Sequence, residues 1–237
     1  MFNNCLRIAL LAATTMVSLS ALAGVTAERT RVIFQGSQRE ASLALVNQNT
    51  YPVVVQAWID DGELESSPDA VAPILPLPPV FRLEPGQQRS LRLLYSGEAL
   101  APDRESMYWL NLYEIPPQPR EGPGEGETRL TITLRMQMKV IMRPDGLAGS
   151  AGDAVRHLKA TTAGRGVMMT NPSPYFVSVS SAEARQGQVV VALRPDTLPP
   201  FSRRVLEGSE VLAPGAELHF AWLDDDGNAQ QAVVVLH

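Results

Sequence analysis

Three cations sit where a strand-building sequence has little structural use for them. Arg31 lies in "TRVIF" (30–34), and Lys139 and Arg143 lie in "MKVIMRP" (138–144). Taken singly, a cation inside a strand points at solvent. Two cations converging in a cleft would do something different. They would hold a carboxylate or a phosphate through charge-assisted hydrogen bonds.

Lys139 belongs to an unusual element. In "RLTITLRMQMKVIMR" (129–143) apolar residues occupy every second position: Leu130, Ile132, Leu134, Met136, Met138, Val140 and Met142. Thr, Arg, Gln and Lys fill most places between them. This alternation predicts a strand with one apolar face. A typical strand has about 5–6 residues, and this pattern runs more than twice as far. Met136, Met138 and Val140 suit a core of the chain's own. The alternation by itself leaves open whether the apolar residues before them face the same core or a further partner.

The rest of the chain reads as short strands punctuated by Pro, Gly, Asn and Asp. "ASLALV", "YPVVVQAWID", "VFRL", "SLRLLY" and "MYWLNLYEI" precede the long strand. "GVMMTN", "YFVSVSSAEA", "QVVVALR", "ELHFAWLD" and "AQQAVVVLH" follow it. The 19 prolines cluster between these runs. Regular short strands with such punctuation predict an all-β chain of β-sandwiches. "DGLAGSAGDA" after Pro144 reads as a linker. It divides the chain into a first domain, 24–148, and a second, 149–237. "DDDGN" (224–228) lacks calcium-ligand spacing and reads as a hairpin turn.

Residues 1–23 have the form of a cleavable signal peptide. Arg7 precedes an apolar run, and Ala21-Leu22-Ala23 suits the peptidase. Cleavage after Ala23 is expected, and Ala27 is a weaker alternative. The run is too short and too interrupted by Thr and Ser to read as a membrane anchor, so no membrane insertion is expected. The single cysteine, Cys5, would leave with the leader. The exported chain would then have neither a disulfide nor a thiol nucleophile. A net charge of −5 with no basic block disfavours nucleic acid. No zinc spacing, nucleophile elbow or phosphate loop is present, so no metal, no cofactor and no enzymatic activity are expected. Asp60-Asp61, at the end of an expected strand, reads as a solvated turn.

Seven segments then occur in one order: "TRVIF" (30–34), "QAWID" (56–60), "PPVFRLEPG" (78–86), "LRLL" (91–94), "DRESMYWLN" (103–111), "MKVIMRP" (138–144) and "NPSPYF" (171–176). Together they resemble the periplasmic pilus chaperones, the PapD-like family, over nearly all of the chain beyond the leader. The resemblance implies two immunoglobulin-like β-sandwich domains set at an angle, with a cleft between them. It implies a periplasmic chaperone that binds pilus or fimbrial subunits and delivers them to an outer-membrane usher. Arg31 and Lys139 would anchor the subunit's C-terminal carboxylate. Leu130, Ile132 and Leu134 would enter the subunit's groove by donor-strand complementation. Glu105, Arg143 and Asp225 would form a salt-bridge network between domains, with Asp225 chosen among three adjacent aspartates. Residues 62–76 depart from the family pattern and read as a lengthened loop.

The competing reading is a structural pilus subunit or adhesin with Ig-like domains. Such subunits usually carry an N-terminal donor extension and often a disulfide, and neither is legible here. An exposed apolar edge also predicts that the free protein shields 130–134, either as a weak self-capping homodimer or with the loop 116–128.

Overall fold

The computed structural model describes residues 24–62, 67–69, 71–118 and 132–237. The leader 1–23, with Cys5, and Leu130 lie outside the described residues. Nine strands come first: β1 (Val25–Ala27), β2 (Arg31–Gln35), β3 (Glu40–Asn47), β4 (Val53–Asp60), β5 (Ile74–Leu77), β6 (Val80–Leu83), β7 (Gln88–Tyr95), β8 (Ser106–Ile115) and β9 (Leu134–Arg143). A helical turn α1 (Ala151–Ala154) and a 3-10 turn (Val155–His157) follow. The chain then forms β10 (Lys159–Ala163), β11 (Gly166–Asn171), β12 (Val177–Gln186), β13 (Val189–Leu193), β14 (Thr197–Leu198), β15 (Ser202–Glu207), β16 (Glu217–Leu223) and β17 (Ala229–Val235). Among the described residues no helix is long and apolar enough to cross a membrane.

Four sheets make two sandwiches, as the expectation of an all-β, two-domain chain required. The first pairs a sheet of order β1-β3-β7-β5 with one of order β2-β9-β8-β4-β6. The second pairs β10-β11-β15 with β13-β12-β16-β17, where β14 also joins β12. Period-2 alternation supplies each core, because one face of every inner strand turns inward. Leu43 and Leu45 of β3, Leu91 and Leu93 of β7, Leu110 of β8 and Val140 of β9 meet in the first core. Met169, Val177, Leu206, Leu218 and Phe220 meet in the second. Each sandwich also buries one asparagine at a strand end. Asn47 donates to the carbonyls of Tyr51 and Leu83. Asn171 donates to those of Tyr175 and Leu198. Buried amides satisfied in this way pin the following turn.

The structure corrects four expectations. Residues 129–131 of the expected long strand lie outside the described residues, and the described part begins at Leu134, with Ile132 and Thr133 beyond the end of its ladder to β8 at Glu114↔Leu134. Residues 62–76 are not all loop. Ile74–Leu77 form β5, an edge strand on β7, where Pro76 is tolerated because an edge leaves one side unpaired. The expected linker 145–154 contains α1, and Ala154 and Val155 pack into the second core. Asp60 is no solvated turn: it is 1% exposed. Its carboxylate accepts from Trp58 Nε1 at 3.1 Å, Asn111 Nδ2 at 2.5 Å and Gly62 N at 2.8 Å. Asp224–Asn228 does form the β16–β17 hairpin turn, closed by a bond from Asp224 N to Asn228 O.

Candidate functional site

β2 and β9 are the parallel pair in a molecule whose other described ladders are antiparallel. Their register sets Arg31 beside Lys139, Ile33 beside Ile141 and Gln35 beside Arg143. Met138, Val140 and Met142 turn into the first core. Period 2 therefore sends Lys139, Ile141 and Arg143 to the opposite face, toward the second sandwich. The two cations that are far apart in sequence become neighbours through one parallel ladder.

Lys139 reaches across to the second sandwich. Its Nζ donates to Ser178 Oγ at 2.8 Å and to Thr197 Oγ1 at 2.5 Å. Those hydroxyls belong to register partners of β12 and β14. The ammonium also lies 5.6 Å from the centroid of the Trp109 ring. Burial, reinforced by the neighbouring Arg31 charge, brings the Lys139 pKa down to about 8, against the smaller opposing pull of Asp196.

Arg31 is 6% exposed. Its Nη1 donates to the Leu223 carbonyl at 3.3 Å. Among the described residues its buried Nε has no hydrogen-bond partner. Burial lowers the Arg31 pKa, while Asp225 and Asp224 pull it upward. Two desolvated cations with spare donors are a candidate anion site, where a carboxylate or phosphate would relieve both. Ser178 and Thr197 are functional candidates that sequence reasoning missed. Small hydroxyls carry no spacing signal, and only the β12–β14 register brings them to the lysine.

The third cation, Arg143, has partners in both sandwiches. Its Nε donates to Glu105 Oε1 at 2.6 Å. Its two terminal nitrogens grip Asp225 at 2.6 and 2.8 Å. Glu105 is buried, and its other oxygen accepts from Phe176 N at 2.7 Å. Burial disfavours the Arg143 charge, yet the bonds to Asp225 and the field of Glu105 outweigh it and raise the pKa. Of the three aspartates, Asp225 is the one on the guanidinium. The β16–β17 turn can approach this closely because Gly227 has φ +86°, and a Cβ there would stand 2.2 Å from Thr30 Oγ1. Arg31, Ile141, Arg143, Phe176, Trp222 and Asp225 line a cleft of 380 Å³ between the sandwiches.

The candidate partner strand lies on the same edge. β8 pairs with β9 along its whole length, from Leu134 to Met142. On the other side β2 covers β9 only from Lys139 onward. Among the described residues, no strand pairs with the stretch from Leu134 to Met138 on that side. Leu134 is 52% exposed and Ile132 is 62% exposed. Backbone donors and acceptors and large apolar side chains are thus presented together.

Comparison with known proteins agrees over both sandwiches. Residues 24–148 match the family described as "Pili and flagellar-assembly chaperone, PapD N-terminal domain". Residues 153–233 match "Pili assembly chaperone PapD, C-terminal domain". The chaperone protein FimB/FhaD of Bordetella pertussis is 34% identical over 229 residues, covering 93% of this chain and 92% of that protein. The probable fimbrial chaperone YadV of Escherichia coli is 32% identical over 220 residues, covering 90% and 89%. The crystal structure of YadV superposes with a TM-score of 0.78 over 90% of this chain and 100% of that one, at 29% identity. The SafB chaperone of Salmonella enterica, solved in complex with the SafA pilin, gives a TM-score of 0.74 at 26% identity, covering 92% and 98%. The all-β double sandwich, its cross-domain cations and these matches give one answer: the chain belongs to the PapD-like family of pilus-assembly chaperones.

Proposed function

We propose that this chaperone binds pilus or fimbrial subunits in the periplasm by lending them the open edge of β9, and passes them to an outer-membrane usher. Residues 1–23 act as the export leader, 24–148 as the subunit-binding domain and 149–237 as the second wall of the cleft. The observation that carries the reading is the partial cover of β9. β2 pairs with Lys139 through Arg143 and stops. A guest strand continuing the line of β2, in the same direction, would end where Arg31 and Lys139 stand. Its C-terminal carboxylate would then meet two desolvated cations. Ser178 and Thr197 would release or share the Lys139 ammonium.

That geometry fixes register. With the carboxylate pinned, Leu134 and Ile132, and Leu130 outside the described residues, are offered to the guest's groove. A one-residue slip would turn every such side chain to the other face. Full burial of a large apolar side chain contributes roughly 1.5–3 kcal/mol, before association costs. Main-chain bonds supply affinity and alternate side chains supply fit. The complex of SafB with a pilin supports the same use of this fold. No catalytic step is needed in this account. Glu105, Arg143 and Asp225 hold the angle between sandwiches so that both walls of the cleft face the guest.

The same edge, left open, invites pairing with a second copy of the chain. In the free protein it is capped by weak self-association through residues 130–138. Co-expression tests the reading. The chaperone should leave the periplasm as a one-to-one complex with a small subunit, and Ile132→Glu should abolish both that complex and the concentration-dependent dimer. Undiminished recovery of the complex with the Ile132→Glu variant would contradict it.

A further inference from the structure

We infer that Glu114 is the buried receptor for the amino terminus released when the leader is removed after Ala23. The inference rests on the leader cleavage proposed above. Glu114 lies on β8, directly opposite Leu134 of β9. It is 7% exposed. Its Oε2 accepts from Val25 N at 2.7 Å and its Oε1 from Asn49 Nδ2 at 2.8 Å. Both donors are neutral, and among the described residues Glu114 makes no ion pair. A buried carboxylate with no counter-charge is costly, so the fold should supply one.

The counter-charge is one residue away. Gly24 precedes Val25, and its carbonyl is fixed by Gln48 N at 3.1 Å. Its backbone lies so close to the carboxylate that a Cβ on residue 24 would stand 2.2 Å from Glu114 Oε2. A side chain at residue 24 would push the carboxylate off Val25 N, whereas a main-chain amine leaves it in place. Hydrolysis of the Ala23–Gly24 peptide bond by signal peptidase consumes one water. It leaves a carboxylate on Ala23 and, at neutral pH, an ammonium on Gly24. Arg135 also lines this pocket but pairs with Asp60, so that ammonium would be the counter-charge that Glu114 itself lacks among the described residues. Cleavage after Ala27 would instead discard β1, whose three residues pair with β3 and whose Val25 is buried in the first core.

The pairing also sits against the guest-binding edge. Gly24, Val25, Glu114, Leu134 and Met136 line one 270 Å³ cavity at the open side of the first sandwich. Processing would therefore close the corner beside the strand that the subunit uses.

A cycle of four proteins tests this. The processed chain and a chain extended by one residue before Gly24 are compared, each with Glu114 and with Glu114→Gln. Mass spectrometry of the protein secreted to the periplasm should give Gly24 as its first residue; any other start overturns the inference together with the cleavage site. With Gly24 first, the extension should lower the melting temperature by about 3–6 °C when Glu114 is present and by less than about 1 °C in the Glu114→Gln background. Acetylation of the Gly24 amine in the otherwise unchanged protein should cost the same drop of about 3–6 °C, which keeps the test open if the Glu114→Gln variant fails to fold. An equal cost in both backgrounds, or no effect of acetylation, overturns the role of Glu114 and leaves the cleavage site standing.

Discussion

Arg31 and Lys139 stand side by side in register on the parallel β2–β9 pair, and each also reaches the second sandwich, Arg31 at the Leu223 carbonyl and Lys139 at Ser178 and Thr197. The pair is therefore a domain contact and, in the proposed function, the place where a subunit carboxylate would bind. Its strength comes from burial. Two cations taken out of water gain most from a carboxylate delivered between them.

The anchor should be separable from folding. Arg31→Ala or Lys139→Ala removes one side of a buried charge contact in the complex, worth about 3–5 kcal/mol. Subunit binding should weaken by roughly two to four orders of magnitude. In the free protein Arg31 Nε has no partner among the described residues and Lys139 has a lowered pKa, so neither charge is strongly stabilised there. The melting temperatures of both variants should stay within a few degrees of the parent. Calorimetric titration with a subunit, beside thermal unfolding of the free variants, checks both statements.

Affinity should depend on pH with a defined sign. Lys139 titrates at about 8 in the free protein, and a bound carboxylate would raise that value. Binding then takes up a proton above pH 8. Affinity should be level below that pH and fall by up to about tenfold per unit above it. The contribution of Lys139 to stability runs the other way. Its folded pKa lies below the ordinary 10.5, so the unfolded chain binds more protons between the two values, and this contribution rises with pH across that window. Lys139→Ala should bind weakly with no such slope. A wild-type slope retained in that variant would assign the titration to another group.

The work should divide along the long strand. Val140 is 0% exposed and Ile132 is 62% exposed. Val140→Ala should cost the free protein roughly 1–3 kcal/mol through lost burial and a residual cavity. Ile132→Ala should leave the melting temperature nearly unchanged while weakening subunit capture. Equal destabilisation by both would make the strand ordinary core throughout. Thermal unfolding of the free variants and the yield of bound subunit, measured together, decide.

The legible part of this molecule was the part written as pattern. Alternation marked most strands, and Arg31, Lys139 and Arg143 stood out as cations within strands, while Glu105 and Asp225 entered only through the resemblance carried by the ordered segments from "TRVIF" to "NPSPYF". The illegible parts depend on long-range pairing. β5 was hidden because Pro76 argues against a strand unless one knows that it is an edge. β15 was missed because "SRRVLE" puts Arg203 and Arg204 together, which breaks alternation. Asp60 looked like a turn residue because its partner Asn111 lies on another strand. Ser178 and Thr197 acquire meaning only when a lysine from the other sandwich arrives. The start of β9 at Leu134 coincides with the end of its ladder to β8, which no local window contains.

Hydrogen exchange on the chaperone alone and in a one-to-one complex with a pilus subunit tests the central claim most directly. Strand addition on β9 predicts that amides within 132–138, uncovered by β2, gain strong protection in the complex. Amides of β2 and of Lys139 to Arg143, already paired, should change little. Replacing the subunit's terminal carboxylate by an amide should weaken the complex while leaving protection on the same stretch in whatever complex forms. If 132–138 exchanged as fast in the complex as in the free protein, with protection appearing on the β6, β13 or β17 edge instead, the subunit would be held elsewhere and the account would be contradicted.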